Sequence, residues 1–155
     1  MAKKERPKID GRYARFALRV RRSRIEGWGV YAGETIPRRR LVIEYTGEKI
    51  SRKEANRRVW KTCRNPRTRK LTMYGLGAYW RIDAANGGSG AELVNHSCEP
   101  NLKARIWRGR VLFHSLRRIR AREEVTVDYA ISPDTFRVRC RCGAKKCRGT
   151  INRLK

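Results

Sequence analysis

Short apolar segments rich in β-branched residues recur along the chain and predict a series of short strands. They are FALRV at 16–20, VYA at 30–32, LVIEY at 41–45 and EVTVDY at 124–129. LKARIW and RVLFH flank Arg108-Gly109 and indicate a hairpin over 102–113. FRVRC at 136–140 is the last predicted strand. The pattern is typical of a β-rich domain.

One helix interrupts this pattern. Ser51 and Glu54 form a capping box, in which the serine hydroxyl and the glutamate carboxylate each satisfy a backbone amide at the helix start. The helix is expected to reach about Trp60 or Lys61, before Asn65-Pro66 forces a turn. The sequence therefore predicts a mostly β, α+β fold of one domain.

Charge is the strongest feature of the composition. The 155 residues include 40 Lys and Arg against 14 Asp and Glu, which gives a net charge of +26. Such a surplus indicates a polyanionic neighbour, namely DNA, RNA or a nucleoprotein. A membrane surface is disfavoured, because we find no basic amphipathic helix with large apolar anchors. Hydrophobic residues still make up 39% of the chain, which favours a folded body over a disordered basic tail.

The ends of the chain and its apolar segments bear on localisation. No apolar run is long enough to span a bilayer. The basic start MAKKERPKID is not followed by the apolar stretch of a secretory signal. We therefore expect a protein that is not secreted and that works in the cytoplasm, associated with a nucleoid, or in the nucleus on chromatin.

Three of the five cysteines lie within eight residues of one another, as C-x-C-x4-C at Cys140, Cys142 and Cys147. In a protein that is not secreted, clustered cysteines indicate metal ligands before they indicate disulfides.

Five motifs, in this order, carry a resemblance to a known family. They are Gly27-Trp28-Gly29, EYTGE at 44–48, the stretch NHSCEPN at 95–101, EVTVDY at 124–129, and the C-terminal cysteines followed by Arg148-Gly149. With this order and spacing, the chain resembles the SET-domain family of protein lysine methyltransferases over residues 16–154. The resemblance implies a fold of several small sheets with a C-terminal pseudoknot and a post-SET zinc loop. It divides the chain into a loose basic N-terminal arm at 1–15, a SET domain at 16–133 and a post-SET zinc segment at 134–155.

The same resemblance implies the site residues. Tyr129 matches the catalytic tyrosine, and Tyr45 is expected to line the same pocket. The cofactor would be S-adenosylmethionine, and the residues expected to bind it are Gly27, Trp28, Gly29, Tyr79, Asn95 and His96. Either Tyr74 or Tyr79 could be the tyrosine of the lysine channel. One structural Zn2+ would be bound by Cys98, Cys140, Cys142 and Cys147, which leaves Cys63 as a free thiol.

Two departures from the family pattern are visible. Many relatives carry Gly-Asn-x-Ala-Arg before the central motif, and this chain has GSGAE at 88–92. Ser89 and Glu92 therefore predict altered contacts to the cofactor and a weaker affinity for it. Val127 stands where the family often has Phe or Tyr, so the number of methyl groups added is not assigned.

The charge of the chain also restricts the substrate. A basic protein tail would be repelled by a surface of +26. We therefore predict a local acidic groove in a basic surround, formed by Glu44, Glu48, Asp83, Glu92, Glu99 and Asp128. The basic surround would bind DNA or RNA, and the groove would take a lysine of a DNA-associated protein such as a histone or a nucleoid protein.

Two other readings explain part of the sequence. One is a catalytically weak SET-like module that binds nucleic acid and zinc, which Glu92 favours and the combination of Asn95, His96 and Tyr129 disfavours. The other is a basic ribosome-associated or nucleoid structural protein, which explains the charge and leaves the order of the motifs unexplained.

Overall fold

The structure, a computed structural model, describes residues 6–63, 72–135 and 137–154. The predicted turn at Asn65-Pro66 and the side chain of Cys63 lie outside the described residues.

Two sheets contain the strands of the described residues. The strands are β1 (Leu18–Arg22), β2 (Trp28–Ala32), β3 (Leu41–Tyr45), β4 (Glu48–Ser51), β5 (Met73–Leu76), β6 (Trp80–Asp83), β7 (Asn95–His96), β8 (Leu102–Trp107), β9 (Arg110–Ser115) and β10 (Glu124–Val127). The larger sheet has the order β1-β2-β10-β8-β9-β3, with β7 paired to β10, and the smaller sheet has the order β4-β6-β5. The predicted SET-type class, mostly β with several small sheets, is confirmed.

The last strand, β10, is inserted among segments that come much earlier in the chain. Val125 pairs with Val30 of β2 in an antiparallel ladder. Thr126 and Val127 pair in parallel with β7, and Val127 also pairs with β8. Because the chain continues directly into Tyr129, this insertion carries that tyrosine to the segment that contains Asn95 and His96.

The predicted hairpin is confirmed, with β8 and β9 paired in register from Leu102 and Ser115 to Trp107 and Arg110. Its two turn residues, Arg108 and Gly109, both have positive φ angles, 48° and 74°. Such a two-residue turn matches the twist of the flanking strands.

The helix α1 (Arg52–Cys63) begins as predicted and ends two residues later than expected. The Ser51 hydroxyl accepts a hydrogen bond from the Glu54 amide at 3.2 Å. Only this half of the predicted capping box forms, because the Glu54 carboxylate accepts hydrogen bonds from Arg57 and Arg58 instead, at 2.7 to 2.8 Å.

The core lies on the inner face of the larger sheet. Its largest fully buried side chains are Phe113, Ile36, Ile43, Leu102 and Ile119. Ile36 and Ile119 also join two loops, since each donates its backbone amide to the carbonyl of the other at 2.9 Å. Burial of such aliphatic side chains stabilises a fold by about 1.5–3 kcal/mol each.

Two sequence-based expectations are wrong in detail. The described part of the N-terminal arm is not loose, because Ala14 forms a bridge with Ile43 and Ile9 packs against the core. Ala14 therefore attaches the arm to β3, and Ile9 attaches it to the core. In the described part of FRVRC, 137–140, an isolated bridge between Arg139 and Thr150 stands in place of a strand, since this segment pairs locally with the C-terminal turn and not with the sheet.

Candidate active site

A narrow pocket lies against the C-terminal end of β3. Its volume is about 40 Å3, and its lining is Tyr45, Met73, Tyr74, Ala91, Glu92, Val94, Phe113, Val127 and Tyr129. The rings of Tyr45, Tyr74 and Phe113 pack with centroids 5.5 to 6.1 Å apart, in the tilted arrangement that aromatic pairs favour. The pocket is therefore a slender aromatic space, suited to an unbranched chain.

A wider cleft also borders Tyr129. Its volume is about 280 Å3, and its lining is Ile25, Glu26, Asn95, His96, Tyr129, Val138, Arg139, Arg141 and Ile151. This size is close to the lower end of the range for small-molecule sites. The last four residues of that lining belong to the C-terminal segment, so two distant parts of the chain build its walls.

Tyr129 is the residue shared by the two linings. Its hydroxyl donates a hydrogen bond to the Val94 carbonyl at 2.9 Å, and its amide donates one to Nδ1 of His96 at 3.1 Å. Burial, and to a smaller extent the charges of Glu26 and Glu124, raise the pKa of Tyr129. The tyrosine therefore stays a neutral phenol, fixed at both ends, between the pocket and the cleft.

His96 connects this tyrosine to the cysteine motif. It is buried and lies edge-on to the Tyr129 ring with centroids 5.4 Å apart. Its Nε2 lies 3.4 Å from Sγ of Cys98. Burial lowers the pKa of His96, which favours the neutral ring that accepts the Tyr129 amide at Nδ1.

Asn95 lines the cleft, and three hydrogen bonds engage the nitrogen of its side-chain amide. Its Nδ2 donates to the carbonyls of Glu26 and Trp28 at 3.2 Å and to the Glu124 carboxylate at 2.9 Å. With the nitrogen engaged there, the side-chain oxygen is left to accept a hydrogen bond from a ligand in the cleft.

Glu124 is a residue that the sequence reasoning missed. Besides Asn95, its carboxylate accepts hydrogen bonds from the hydroxyls of Ser23 and Tyr31 at 2.8 to 3.1 Å. It thereby joins β10, β2 and the loop that follows β1. A Glu at the first position of an otherwise apolar strand was the available signal, and no partner could be read from the sequence because Ser23 lies 101 residues away.

The glycines of the first motif act on the backbone. Gly27 has a φ of 47°, and a Cβ on Gly29 would lie 2.2 Å from Oε1 of Glu124. The motif therefore allows a turn that glycine favours and leaves room for the carboxylate. None of Gly27, Trp28 and Gly29 lines the cleft, whose wall here is Ile25 and Glu26. The guanidinium of Arg22 lies over the Trp28 ring, 4.3 Å from its centroid.

The two tyrosines that the sequence left open are separated in space. Tyr74, on β5, lines the narrow pocket. Tyr79 lies in the turn between β5 and β6, is 78% exposed and lines neither the pocket nor the cleft. The structure thus corrects the sequence-based position of Tyr79, because the turn at Gly77 directs it away from the site. Tyr45 lies beside Tyr74, and its hydroxyl donates to the Thr72 carbonyl at 2.5 Å.

The predicted acidic groove is mostly neutralised. Four of its six carboxylates form ion pairs with arginines, namely Glu44, Glu48, Asp83 and Asp128. Glu99 accepts a hydrogen bond from the Lys146 amide. Glu92 lines the narrow pocket and not the cleft, so its position gives no support to the expected effect on cofactor contacts.

The four predicted metal ligands come together. The sulfurs of Cys98, Cys140, Cys142 and Cys147 all lie within 4.8 Å of one another, and those of Cys98 and Cys140 are 3.7 Å apart. Tetrahedral Zn2+ with Zn–S bonds of about 2.3 Å places its sulfurs about 3.8 Å apart. The donor set and its spacing therefore fit a four-thiolate zinc site.

Burial and hydrogen bonds shift the pKa values of these thiols in opposite directions. Burial raises the pKa of Cys98 and Cys140. Burial also acts to raise the pKa of Cys142, but backbone and neighbouring-thiol hydrogen bonds outweigh it and lower that pKa to about 6. A divalent cation would favour the thiolate form of all four.

An ion pair links the cysteine cluster to the residue before Tyr129. The guanidinium of Arg148 donates to both oxygens of Asp128, at 2.6 and 2.9 Å. Arg148 also donates its amide to Sγ of Cys98 at 3.4 Å. Two parallel bonds of this kind fix orientation as well as distance, so the C-terminal segment is oriented toward β10.

Exposed arginines occur in two neighbouring segments, which we call the arginine surface. The segments 38–40 and 117–122 contain exposed arginines, namely Arg38, Arg39, Arg40, Arg117, Arg118, Arg120 and Arg122. The Ile36–Ile119 bridge and a hydrogen bond from the Arg39 amide to the Ser115 carbonyl hold the two segments together. They meet at the N-terminal end of β3, whereas the narrow pocket lies at its C-terminal end. The four residue steps from Leu41 to Tyr45 span about 13 Å.

Comparison with known proteins agrees with this arrangement. Residues 27–130 match the SET domain, and this range contains Asn95, His96 and Tyr129. The chain therefore belongs to the SET-domain family.

Its relatives are named as histone-lysine methyltransferases. It is 34% identical over 139 residues to histone-lysine N-methyltransferase set-2 of Caenorhabditis elegans, which covers 87% of this chain and 9% of that protein. It is 36% identical over 138 residues to an H3 lysine-4 specific histone-lysine N-methyltransferase of Saccharomyces cerevisiae, covering 84% and 13%. It is 34% identical over 139 residues to histone-lysine N-methyltransferase SETD1B of Xenopus tropicalis, covering 87% and 7%.

The chain thus spans between 7% and 13% of the length of these relatives. Among the described residues, no helix combines the length and apolar character that crossing a bilayer requires.

Proposed function

We propose that this chain is an S-adenosylmethionine-dependent protein-lysine N-methyltransferase that acts on a histone or a similar basic protein. The observation that carries the proposal is the position of Tyr129, which lines both an aromatic pocket for a slender chain and a wider cleft for a small molecule. The relatives named as histone-lysine methyltransferases support the same reaction.

In this proposal the cleft takes the cofactor and the narrow pocket takes the lysine. S-adenosylmethionine, when bound, supplies a methyl group on a positively charged sulfur. The side-chain oxygen of Asn95 would accept a hydrogen bond from the ammonium of the cofactor, because Glu124 and two carbonyls already occupy its nitrogen. Glu26 lines the same cleft and adds a negative charge that favours a cationic ligand.

The pocket would orient the nucleophile. The Tyr129 hydroxyl donates to Val94, so its oxygen can accept an N–H of the lysine amine and direct the nitrogen lone pair toward the cleft. A displacement in line with the breaking bond depends mainly on such positioning. The amine must first lose a proton, since free lysine has a pKa near 10.4, and desolvation by the aromatic side chains of the pocket acts toward the neutral form.

The four cysteines would hold one structural Zn2+. Bound there, the ion would cross-link the C-terminal segment, which supplies Val138, Arg139, Arg141 and Ile151 to the cleft. Its role would be to close the cleft wall. We also propose the boundaries 1–15, 16–133 and 134–155 for the arm, the SET domain and the zinc segment.

The test is methyl transfer from labelled S-adenosylmethionine to a histone H3 tail peptide, to intact histones and to other basic proteins. Wild-type protein should transfer label, and Tyr129→Phe should lower kcat by about 100-fold, because the amine loses its orienting oxygen. The matched control is Tyr13→Phe, which removes one phenol hydroxyl from outside both linings. No transfer by the wild type, or equal transfer by all three proteins, would contradict the proposal.

We further propose that the arginine surface binds duplex DNA, so that the chain would act on a DNA-associated protein, on chromatin in the nucleus or on a nucleoid. The net charge of +26 and the exposed arginines of 38–40 and 117–122 support this. Arg118→Gln combined with Arg120→Gln should reduce the slope of log affinity against log salt by about 1.8. Arg57→Gln, an exposed arginine that pairs with Glu54 on α1, is the control, and an equal slope for all proteins would contradict the proposed surface.

A further inference from the structure

Glu92 is the charged residue among the nine that line the narrow pocket. The others are three tyrosines, a phenylalanine and small or aliphatic side chains. Glu92 is half-buried, and a cation that entered this space would be attracted to its carboxylate. The position of Glu92 therefore makes it a candidate partner for a cation in the pocket.

The structure fixes where this carboxylate lies. Oε2 of Glu92 accepts a hydrogen bond from the Gly90 amide at 2.9 Å. Gly88 leaves room for the other oxygen, since a Cβ there would lie 3.0 Å from Oε1. In the part of the chain that the structure describes, Oε1 accepts no hydrogen bond, and no basic side chain lies within ion-pair distance of Glu92.

The charge of Glu92 affects the pKa of Tyr45, one of the tyrosines that line the pocket. Burial is the main reason why the pKa of Tyr45 is raised, and the charge of Glu92 is the second. The carboxylate is thus electrostatically close to the Tyr45 phenol, which lines the same pocket. A cation that entered between the tyrosines would be attracted by it.

We propose that Glu92 binds the ε-ammonium of the target lysine as it enters the pocket, and so selects a charged lysine over neutral side chains of the same length. This inference rests on the proposed methyltransferase function. The four methylenes of lysine would lie along the tyrosine rings while the ammonium donates to Oε1 of Glu92. The family pattern described above has an arginine at this position, which carries the opposite charge. Binding of the ammonium by a carboxylate here would therefore be particular to this chain.

The binding has a consequence for catalysis. A nearby carboxylate favours the ammonium and raises the pKa of the bound lysine. Carboxylates bind protons far more weakly than amines do, so the proton leaves to solvent water. Glu92 would therefore strengthen substrate binding and shift the rise of kcat toward higher pH.

The first experiment measures binding without turnover. Calorimetry would compare an H3 tail peptide with the same peptide carrying norleucine in place of lysine 4, with wild type, Glu92→Gln and Glu34→Gln. Gln keeps an oxygen for the Gly90 amide and removes the charge. Glu34→Gln is the matched control, because Glu34 also accepts one backbone amide, that of Ala17 at 2.8 Å, and lines neither pocket nor cleft.

We expect wild type and Glu34→Gln to bind the lysine peptide about tenfold more tightly than the norleucine peptide, and Glu92→Gln to lose most of this preference. The pH profile of kcat for Glu92→Gln should move down by about one pH unit. An unchanged lysine preference, or an unchanged profile, in a variant that melts like the wild type would overturn the role of Glu92. Failure of the wild type to methylate any peptide would instead contradict the proposed function itself.

Discussion

The narrow pocket and the cleft are formed by different kinds of structure. The pocket is lined by residues of the sheet interior, since Phe113 and Val127 are core residues of β9 and β10. The outer wall of the cleft consists of residues from a segment without regular strands, which attaches through isolated bridges such as that between Ile131 and Asn152.

This difference separates the two halves of the site by their source of stability. Apolar packing holds the pocket, and it is roughly proportional to the area buried. The cleft wall depends on a few specific links, namely the cysteine cluster and the bidentate pair of Arg148 and Asp128. The narrow pocket should therefore persist under conditions that dismantle the cleft.

Removal of the metal should have the largest effect on cofactor binding, and it tests the difference between the pocket and the cleft most directly. Zinc chelation, or Cys140→Ser, should lower the affinity for S-adenosylhomocysteine at least 100-fold, since structural zinc supplies the folding energy of small cysteine-rich segments. Near-ultraviolet circular dichroism of the aromatic core should change little. Calorimetry and dialysis against zinc, which should restore binding after chelation, check the prediction. Equal cofactor affinity with and without metal would show that the wall needs no cross-link.

The same difference explains how much could be read from the sequence. β3 and the β8–β9 hairpin were predictable because their apolar alternation and the turn at Arg108-Gly109 are local signals. Cys140, Cys142 and Cys147 were predictable from their local spacing, whereas Cys98 was added only by the resemblance to the SET-domain family. Local signals could not separate Tyr74 from Tyr79, which depends on the register of a three-stranded sheet.

Electrostatic pairing was the least predictable part. The expected groove of six carboxylates mostly pairs with arginines because partners such as Asp83 and Arg58 meet only after α1 packs on β6. The location of Glu92 beside the pocket likewise depends on the short 3-10 helix Ala91–Leu93. Charge composition predicted the basic surface and left its ion pairs undetermined.

The second prediction concerns the support of the pocket by α1. Thr72 accepts the Tyr45 hydroxyl through its carbonyl and donates its own hydroxyl to Asp83 at 3.0 Å. Asp83 is buried and pairs with Arg58 at 2.9 Å. Burial by itself would raise the pKa of Asp83, but the hydrogen bonds from Arg58, Ala85 and Thr72 outweigh it and keep that pKa below its usual 3.8.

Arg58→Gln should destabilise the protein at neutral pH, because it leaves the charge of Asp83 buried without its cation. A carboxyl group with a lowered pKa stabilises the fold above its unfolded pKa and loses this contribution as pH falls through the folded pKa. The gap between wild type and variant should therefore be full at neutral pH and close below about pH 4. Urea unfolding across pH measures it, and acid release of metal affects both proteins alike. A gap that does not depend on pH would indicate lost packing and not lost charge.

The smallest expected change in cofactor binding concerns the inner wall of the cleft, where Glu124 and Gly29 meet. Gly29→Ala should be destabilising, because its Cβ would lie 2.2 Å from Oε1 of Glu124 and the carboxylate would have to shift. Glu124→Gln should be mild, since the Gln oxygen can still accept from Asn95 while its amide donates to the Ser23 and Tyr31 hydroxyls. Glu124→Ala should weaken cofactor binding by about tenfold through the loss of one charge-assisted hydrogen bond to Asn95.

The double variant Gly29→Ala with Glu124→Ala tests whether the effects of the two residues on stability are coupled. If the carboxylate is what excludes a side chain at Gly29, removing it should recover about 1 kcal/mol or more of the stability lost in Gly29→Ala, and the two changes should not be additive. Thermal unfolding of the four proteins gives the coupling energy, and peptide affinity should stay constant across them because none of these residues lines the narrow pocket. Additive losses would mean that the β1–β2 ladder, and not Glu124, requires glycine there. The same sheet packing would then determine the shape of both the pocket and the inner wall of the cleft. Of the parts of the site, the proposed zinc segment would be the one that is stabilised separately.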